Sequence, residues 1–277
     1  MGPMRVISAN VNGIRAAVRR GGLSWLAAAE PDVLCLQEVR ASDAELTVAL
    51  AGSAFAGWQV AHAPCGTAGR AGVAILSRAP HLRVRCELED EAAAVVAGRW
   101  VEAELDLATG PVTVVSVYVH TGEAETPRQE EKYRFLDAMT LRMKELADGG
   151  RPVVVTGDLN IAHTRADLRN WKGNLGKAGF LPAEQSYLDR WLESGEWADV
   201  SRRAAGEVEG PYTWWSWRGK AFDNDTGWRI DYQLASAALA EGLRGSWVGR
   251  APTYAERWSD HAAVVADYDL AAAPAAP

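Results

Sequence analysis

Carboxylate and carboxamide side chains follow several apolar, strand-like segments of the sequence. Asn10 lies near the end of RVISANV, Glu38 follows VLCLQ, and Asp158 and Asn160 come at the end of PVVVTGDLN. Charged groups at the ends of buried strands are costly unless they are paired, hydrogen-bonded or bound to a metal. An oxygen-rich set of this kind suits Mg²⁺ or Mn²⁺, and no Cys or His spacing in the sequence is typical of a zinc site. The pattern therefore predicts a magnesium site at the strand ends.

Further polar residues end or interrupt the later apolar segments. Tyr118 and His120 end VVSVYVH, Asp231 lies inside RIDYQL, and Asp260 and His261 begin the last apolar segment. Each residue alone has a simpler interpretation, because polar residues after strands commonly form turns or lie in solvent. Their occurrence together at several strand ends favours a shared site of catalysis.

The apolar segments that must position these residues are mostly strands. Predicted strands cover residues 5–11, 32–37, 59–63, 72–77, 82–86, 100–107, 111–119, 152–160, 229–236 and 261–268, and predicted helices cover 14–29, 128–147 and 183–194. Many of the strands follow one another without a helix between them, as hairpins do. The order predicts an α/β sandwich of two packed sheets with helices outside, rather than a doubly wound sheet.

The length and composition favour one domain. The chain has 277 residues, 48% of them hydrophobic, which is enough for one substantial core. We expect residues 1–270 to form this domain and the biased tail AAAPAAP at 271–277 to be disordered. No apolar run approaches a membrane span, and the N-terminus lacks the pattern of a signal peptide. The 3 cysteines, an odd number, argue against a disulfide framework and favour a reducing compartment such as the cytoplasm.

The charge balance bears on the partner. A net charge of −7 argues mildly against nucleic acid, because phosphate binding needs a local basic surface. The acids of a metal site count against this total, however, and bound cations would cancel them. Some of the 12 tryptophans must belong to the core, and others could serve as platforms for sugars or bases.

Several longer segments occur in a recognisable order along the chain. They are SANVNGIRA, PDVLCLQEVR, GVAILSR, GRWVEAEL, YVHTG, VVVTGDLNIAH, DLRNWKGNLGKAGFLP, YTWWSWRGKAFDNDTGWRIDYQLAS and SDHAAV. In these segments the sequence resembles the exonuclease III and apurinic/apyrimidinic endonuclease family, and bacterial exodeoxyribonuclease III in particular, within the endonuclease/exonuclease/phosphatase superfamily. The resemblance implies a DNase I-like fold, a four-layer α/β sandwich in which helices flank two packed mixed sheets.

The resemblance also implies which residues hold the metal and the attacking water. Glu38 would be the principal metal ligand, with Asn10 nearby. Asp158 would orient or deprotonate the water and could hold a second metal, and Asn160 would orient Asp158 and the phosphate. The implied metal-ligating set, for Mg²⁺ with Mn²⁺ as a substitute, is Asn10, Glu38, Asp158, Asn160, Asp260 and His261.

Other implied roles concern the phosphate. Tyr118 would donate to a phosphate oxygen, and His261 would hydrogen-bond the phosphate while Asp231 orients its imidazole. Water would attack phosphorus in line, and the metal, His261 and Asn160 would offset the charge that develops on the non-bridging oxygens and the leaving 3′-oxygen. The implied catalytic residues are Tyr118, Asp158, Asn160, Asp231 and His261.

Further positions match those at which family members hold DNA. Residues that would contact the DNA backbone are Arg15, Arg40, Arg99, Asn170, Lys172 and Asn174, although solvated surface is the alternative for each. Trp214, Trp228 and Ile230 match an apolar pocket that accepts a base-less sugar, although core packing is the alternative for any tryptophan. The sequence departs from the family at Thr121, His120, Arg70 and Asn12, which replace Asn or Gln, Pro, Tyr and Asp, and at Arg218, where some relatives insert an apolar wedge into DNA.

The implied activity is hydrolysis of the DNA backbone 5′ to abasic sites, leaving a 3′-hydroxyl, with 3′–5′ exonuclease and 3′-end cleaning by the same site. The partner would be double-stranded DNA with abasic sites or blocked 3′ ends, bound by a monomer in a bacterial cytoplasm or nucleoid. A phosphatase for a lipid, inositol phosphate or nucleotide is one alternative, disfavoured by DLRNWKGN and the Trp pocket. A non-enzymatic DNA-binding or scaffold protein is another, disfavoured by the intact set of Glu38, Asp158, Asn160, Asp231 and His261.

Overall fold

The computed structural model describes residues 3–67, 69–88 and 97–270. The tail at 271–277, for which the sequence predicts disorder, lies outside the described residues. Within these ranges the strands are β1 (Met4–Asn10), β2 (Val33–Gln37), β3 (Gln59–Ala63), β4 (Val73–Ser77), β5 (His81–Arg85), β6 (Trp100–Leu105), β7 (Val112–Tyr118), β8 (Val153–Asp158), β9 (Trp197–Asp199), β10 (Asp231–Ser236), β11 (Leu243–Gly249) and β12 (Ala263–Tyr268). The helices are α1 (Ile14–Arg19), α2 (Gly22–Ala28), α3 (Asp43–Ala51), α4 (Pro127–Asp148), α5 (Pro182–Glu193), α6 (Val200–Ala205) and α7 (Ala237–Glu241), with 3₁₀ turns at Arg165–Asp167, Trp171–Asn174 and Tyr254–Glu256.

The strands form two mixed sheets of 6 strands each. The first sheet has the order β11-β12-β1-β2-β4-β3, and the second has the order β5-β6-β7-β8-β10-β9. Near its centre each sheet holds a parallel pair, β1 with β2 and β7 with β8, while neighbours such as β3–β4 and β6–β7 are antiparallel. The prediction of two sheets built partly from consecutive strands is therefore confirmed.

An apolar core lies between the two sheets. Val6 and Ile75 of the first sheet share a buried cluster with Val114 and Val154 of the second sheet. β2 and β4 are buried at every position and almost entirely apolar, because both of their faces are covered, one by the opposite sheet and the other by helices.

Helices cover the outer faces of both sheets. Leu26 of α2 and Leu46 of α3 pack on the outer side of the first sheet. Phe135 of α4 and Leu188 of α5 pack against Val155 on the outer side of the second sheet. Helices, sheet, sheet and helices make four layers, which confirms the predicted four-layer sandwich. No helix in the described part of the chain is both long and apolar enough to cross a membrane.

The prediction of one continuous helix at 14–29 is wrong. The chain forms α1 and α2 instead, because Gly21 between them adopts a left-handed conformation with φ of 81° that ends the first helix. The helix predicted at 128–147 is confirmed to within a residue at each end. Pro127 occupies its first turn, and Gly150 follows its end with φ of 65°.

Some elements have no counterpart among the predicted ones, namely α3, β9, α6, α7 and β11. β11 lies at the edge of its sheet and is at least partly exposed along its whole length, so it lacks the apolar pattern of a buried strand. α3 begins with a capping box in which Ser42 and Glu45 bond each other's backbone, and this signal was present in the sequence.

Candidate active site

Two parallel strand pairs bring polar residues to one edge of the sandwich. β1 and β2 run parallel with Asn10 opposite Gln37, so Asn10 and Glu38 lie at neighbouring strand ends. β7 and β8 run parallel with Tyr118 opposite Asp158. The carboxyl ends of parallel strands open on the same side of a sheet, and site residues commonly lie on the loops that begin there. The packing of the two sheets then brings the two pairs together.

The carboxamide of Asn10 links the two sheets at this edge. Asn10 Nδ2 donates to Glu38 Oε1 at 2.9 Å and to Asp158 Oδ2 at 2.9 Å. Asn10 Oδ1 accepts from the backbone N–H of Asn12 at 3.0 Å, which fixes the orientation of the amide. A buried amide therefore holds a carboxylate from each sheet in place.

His261 forms a hydrogen-bonded pair with Asp231 beside Asp158. Pairing of β10 with β8 places Asp231 directly opposite Asp158. The Nδ1 of His261 lies 2.9 Å from Asp231 Oδ2, and its Nε2 lies 3.7 Å from Asp158 Oδ2. Burial alone would lower the pKa of His261, but the charges of Asp231 and Asp158 raise it to about 10. Asp231 therefore orients the imidazole so that Nε2 faces Asp158.

Asp158 is a buried carboxyl surrounded by donors and by other acids. Its Oδ1 accepts from the backbone N–H of Asn160 at 2.9 Å, and its Oδ2 accepts from Asn160 Nδ2 at 3.1 Å. Burial raises the pKa of Asp158 to about 8; His261 opposes this rise, and the charges of Asp231 and Glu38 add to it. Carboxylates crowded in this way are stabilised by a cation.

The donor set at this edge fits a divalent cation. Glu38, Asp158 and His261 each offer a ligand atom, and these atoms lie within 4.8 Å of one another. The carboxylate of Glu38 also contacts the guanidinium of Arg40, which supplies one positive charge at its side. Oxygen ligands with a single imidazole suit Mg²⁺ or Mn²⁺ better than a soft metal. Asp260 lines the same cavity as this set, and its own oxygens accept from Asn12 Nδ2 and Trp214 Nε1.

The loops that carry the cluster hold non-glycine residues in the left-handed region. Asn12, Glu38, Arg40 and Asn160 have φ values of 46°, 49°, 52° and 50°. Such conformations cost about 1–3 kcal/mol each and persist where surrounding contacts hold them, which is common at functional sites. Here the side chain of Asp158 accepts from the backbone N–H of Asn160, which helps to hold the left-handed conformation of Asn160.

A cavity of about 390 Å³ opens above the cluster. Glu38, Asp158 and His261 line it together with Trp214 and Trp228. The two indole rings meet edge to face with centroids 6.3 Å apart, and their backbones pair through reciprocal hydrogen bonds of 2.9 Å. The cavity therefore combines acidic groups with a fixed aromatic wall. A larger groove of about 970 Å³ lies between α1, α2 and α3, away from the cluster.

The structure brings some of the predicted DNA-binding residues to this cavity and leaves others outside it. Those that line it are Asn174, Trp214, Trp228 and Ile230. The others have local partners: Arg15 pairs with Glu45, Arg40 with Glu38, Arg99 with His120, Lys172 lies over the ring of Trp171, and the carbonyl of Asn170 accepts from Asn174 Nδ2. Arg218 is exposed on the loop after Trp217.

Sequence reasoning missed three residues that line the cavity, which are Lys177, Ala178 and Gly179, whereas Thr121, named above as a departure from the family, lines it too. Thr121 Oγ1 donates to Asn160 Oδ1 at 3.1 Å, so it helps to fix the amide beside Asp158. Lys177 brings a positive charge to the cavity. The sequence signal for Lys177 was its place in GNLGKAGF, shortly after Lys172 and Asn174, which the resemblance implies as contacts to the DNA backbone.

The buried imidazole of His120 should make the fold sensitive to mild acid. Burial, and then the adjacent Arg99 guanidinium, lower the pKa of His120 from 6.5 to about 4. Between these two pH values the unfolded chain binds a proton that the folded chain excludes, so stability is lost as the pH falls. We expect the thermal midpoint of the wild type to fall faster than that of His120→Asn between pH 6.5 and pH 4, measured by circular dichroism. Thermal midpoints of the wild type and of His120→Asn that fall equally over this pH range would contradict this prediction.

Comparisons with known proteins agree with this geometry. The family model described as Endonuclease/Exonuclease/phosphatase family matches residues 7–261. The chain is 34% identical over 245 residues to an exodeoxyribonuclease of Bacillus subtilis, covering 87% of this chain and 91% of that protein.

Solved structures with the same fold include two DNA-processing enzymes. An AP endonuclease from Archaeoglobus fulgidus superposes with a TM-score of 0.84 at 26% identity, covering 96% of this chain and 99% of that one. The 3′ phosphatase NExo from Neisseria, bound to a product DNA hairpin, superposes with a TM-score of 0.81 at 30% identity, with coverages of 96% and 99%. The chain therefore belongs to the endonuclease/exonuclease/phosphatase family, within its exonuclease III and AP endonuclease group, and is a hydrolytic nuclease.

Proposed function

We propose that this protein is a DNA-repair nuclease that hydrolyses the phosphodiester 5′ to an abasic site and leaves a 3′-hydroxyl. The same site would remove nucleotides and blocking groups from 3′ ends. The observation that carries the proposal is the cluster of Glu38, Asp158 and His261 at one cavity with Trp214 and Trp228. The AP endonuclease, exodeoxyribonuclease and 3′ phosphatase among its relatives support this range of activities.

Asp158 is the proposed base for the attacking water. Its carboxyl group lines the cavity, and the pKa raised to about 8 makes its carboxylate form a stronger base than an exposed aspartate. Asn160 holds both oxygens of Asp158 through its backbone N–H and its Nδ2. Water bound between Asp158 and the phosphate would therefore be aimed at phosphorus, opposite the leaving 3′-oxygen.

His261 and Tyr118 are the proposed donors to the phosphate. The raised pKa of His261 keeps its Nε2 protonated, so the imidazolium can donate to a phosphate oxygen while Asp231 holds Nδ1. Burial, together with the charges of Glu38 and Asp158, raises the pKa of Tyr118, so its hydroxyl stays protonated and donates as well. Fixed donors that face developing charge lower the barrier without rearranging during the reaction.

The proposed cofactor is Mg²⁺, with Mn²⁺ as a substitute. Glu38 and Asp158 would hold the ion, and Asn10, Asn160 and Asp260 lie beside them as further candidate ligands. His261 belongs to the same cluster, but its Nε2 would ligate the ion only without the proton that it donates to the phosphate. When bound, the ion would neutralise charge on the phosphate and on the leaving oxygen. Asn10 would keep the carboxylates of Glu38 and Asp158 at a fixed separation for it.

The Trp pocket is the proposed basis for choosing an abasic site. Trp214, Trp228 and Ile230 form an apolar wall that suits a sugar without its base. A site that has lost its base leaves the helix at lower cost, and a small pocket rejects an intact nucleotide. Lys177, which lines the cavity, and the predicted contacts Arg15, Arg40, Arg99 and Lys172 would bind the DNA backbone without reading its sequence.

We further propose that residues 1–270 act as one domain and as a monomer on double-stranded DNA, in a bacterial cytoplasm. Two six-stranded sheets that share one apolar core support the single domain. The relative from Bacillus subtilis supports the bacterial setting.

The proposal predicts a single metal-dependent cut in an abasic duplex. An end-labelled duplex with one stable abasic analogue should be cut 5′ to the lesion with Mg²⁺ and left intact with EDTA. The control duplex without the lesion should only shorten slowly from its 3′ ends. Hydrolysis of inositol phosphates, with no cut in the abasic duplex, would contradict the proposal and would indicate a phosphatase for small substrates.

A further inference from the structure

A buried lysine of α4 is bonded to the backbone of Asn160, a residue that lines the cavity. Lys132 Nζ donates to the carbonyl oxygen of Asn160 at 2.9 Å and to Glu184 Oε1 at 2.6 Å. The side chains of Lys132 and Glu184 are both 0% exposed. A lysine is almost never fully buried unless it is paired. The pair therefore joins α4 and α5 to the loop that carries Asn160.

Lys132 completes a set of bonds that hold Asn160 at each of its polar groups. The backbone N–H and the Nδ2 of Asn160 donate to the two oxygens of Asp158, and Nδ2 also donates to the carbonyl of Val119 at 2.8 Å. Its Oδ1 accepts from Thr121, and its carbonyl accepts from Lys132. Asn160 has a left-handed φ of 50°, which costs free energy unless contacts hold it. Of these partners, Lys132 alone brings a positive charge, so its bond is of the stronger, charge-assisted kind.

The other carboxylate oxygen of Glu184 holds the wall of the cavity. Glu184 Oε2 accepts from the backbone N–H of Gly179 at 2.6 Å and from that of Leu181 at 3.1 Å. Gly179 lines the cavity, and a Cβ at this position would lie 3.2 Å from the ring of Trp228. Glu184 therefore fixes the backbone against which Trp228 packs, while its Oε1 holds Lys132.

We propose that Lys132 is a positioning residue that holds Asn160, and through it Asp158, in the arrangement required for attack on the phosphate. The inference rests on the proposed function, in which Asp158 is the base and Asn160 holds both of its oxygens. Lys132 does not touch DNA, because its side chain is fully buried. Its bond offsets the cost of the left-handed backbone of Asn160, so Asp158 stays held before substrate binds. An error of about 1 Å in the place of a catalytic group can lower a rate about 100-fold, so this geometry bears on kcat.

Two variants that differ only at Lys132 isolate its bond to Asn160. Glu184→Gln keeps Lys132 on the carbonyl of Asn160 but leaves a buried lysine without its carboxylate, which is strongly destabilising. Lys132→Met/Glu184→Gln removes both charges together, so it recovers stability but loses the bond to Asn160. A flip of the Gln129 amide, which contacts Glu184, lets its Oε1 accept from the new amide; this oxygen is buried and has no partner within the described residues.

A positioning role predicts opposite orders of stability and of rate for these variants. We expect the double variant to have the higher thermal midpoint. On an abasic duplex with Mg²⁺, its kcat should nevertheless be about 10-fold below that of Glu184→Gln, the size of one charge-assisted hydrogen bond. KM should agree within about threefold, since the lost contact is not one to DNA. If Lys132 only neutralised Glu184, activity would follow stability, and a kcat of the double variant equal to or above that of Glu184→Gln would overturn the proposal.

The wild type and a matched control complete the comparison. Should Glu184→Gln fail to fold, a folded double variant with kcat about 10-fold below the wild type supports the proposal, and a wild-type kcat overturns it. The control is Arg142→Met/Glu102→Gln, which removes a bidentate ion pair of the same helix. Arg142 lies about 15 Å along α4 from Lys132, so this control should keep the wild-type kcat.

Hydrogen exchange separates this inference from the proposed function. The exchange rate of the Asn160 backbone N–H, measured by NMR in EDTA without DNA, reports how often its bond to Asp158 opens. We expect this N–H to exchange about 10-fold faster in the double variant than in the wild type and in Glu184→Gln, the value of the lost bond. If the wild type cuts no abasic duplex, the proposed function fails, and the exchange rates still decide the role of Lys132. Equal exchange rates overturn it.

Discussion

Asp158→Asn is expected to lower the rate of DNA cleavage by about 10²–10⁴-fold, the usual value of a general base. The substitution keeps the shape of the side chain, but an amide cannot take a proton from water. It also removes one of the negative charges that would hold the metal with Glu38. The measurement is the single-turnover rate on an abasic duplex with saturating Mg²⁺.

The same substitution should leave the fold intact. The raised pKa of Asp158 leaves little charge on it at pH 7 without metal, so the neutral amide changes the charge of the site little, and loss of an acceptor for Asn10 Nδ2 is the opposing cost. We therefore expect a thermal midpoint within a few degrees of the wild type without metal, together with a smaller increase when Mg²⁺ is added. A folded Asp158→Asn protein with full activity would contradict the role of Asp158 as the general base.

The matched control for this experiment is Asp148→Asn. Asp148 is the last residue of α4, whereas Lys132 of the same helix donates to the carbonyl of Asn160 at 2.9 Å. With a rise of about 1.5 Å per residue, the two helix positions lie about 24 Å apart. The control makes the same chemical change far from the site and should keep the wild-type rate.

Arg229→Met is expected to destabilise the protein by about 3–5 kcal/mol. Arg229 is 1% exposed, and its Nε and Nη1 donate to Asp167 and Asp199 at 2.6 Å each. Removing the guanidinium leaves two carboxylates without this partner in a buried setting. The loss is a large part of the roughly 5–15 kcal/mol by which a domain is usually stable. The measurement is the urea midpoint at pH 7, followed by circular dichroism.

Two further variants define the cause of this loss. Arg229→Lys keeps the charge but cannot reach both carboxylates with a planar fork, so its stability should lie between wild type and Arg229→Met. Arg169 forms an exposed pair with Glu209, and Arg169→Met should cost less than about 1 kcal/mol. A loss below 1 kcal/mol for Arg229→Met would mean that the buried network adds little to stability.

The network of Arg229 also bears on the active site. Arg229 separates Trp228 from Ile230 in the chain, and its backbone N–H donates to the carbonyl of Asp167 at 2.8 Å. Asp231 follows within two residues and orients His261. Variants at Arg229 that still fold should therefore have a loosened Trp pocket and a higher KM for the abasic duplex.

The central strands and the polar residues after them were predictable from the sequence. β2 has four apolar residues followed by a glutamine, and β8 begins with three consecutive valines; both strands are buried at every position, and these apolar runs are visible without any structure. Glu38 and Asp158 are noticeable because a carboxylate at the end of a buried strand is costly unless it is paired, hydrogen-bonded or bound to a metal. β11 was not predictable in the same way, because a partly exposed edge strand lacks an apolar pattern.

The sequence by itself determined the fold class and the types of residue available for chemistry. Only the tertiary structure decided that Asn10 donates to Asp158, 148 positions away in the chain, and that His120 accepts from Arg99. These contacts depend on how the two sheets and α4 pack together, which periodicity within one segment does not encode. Local pattern specifies which strands form, and the burial of their faces against each other sets which of their ends meet.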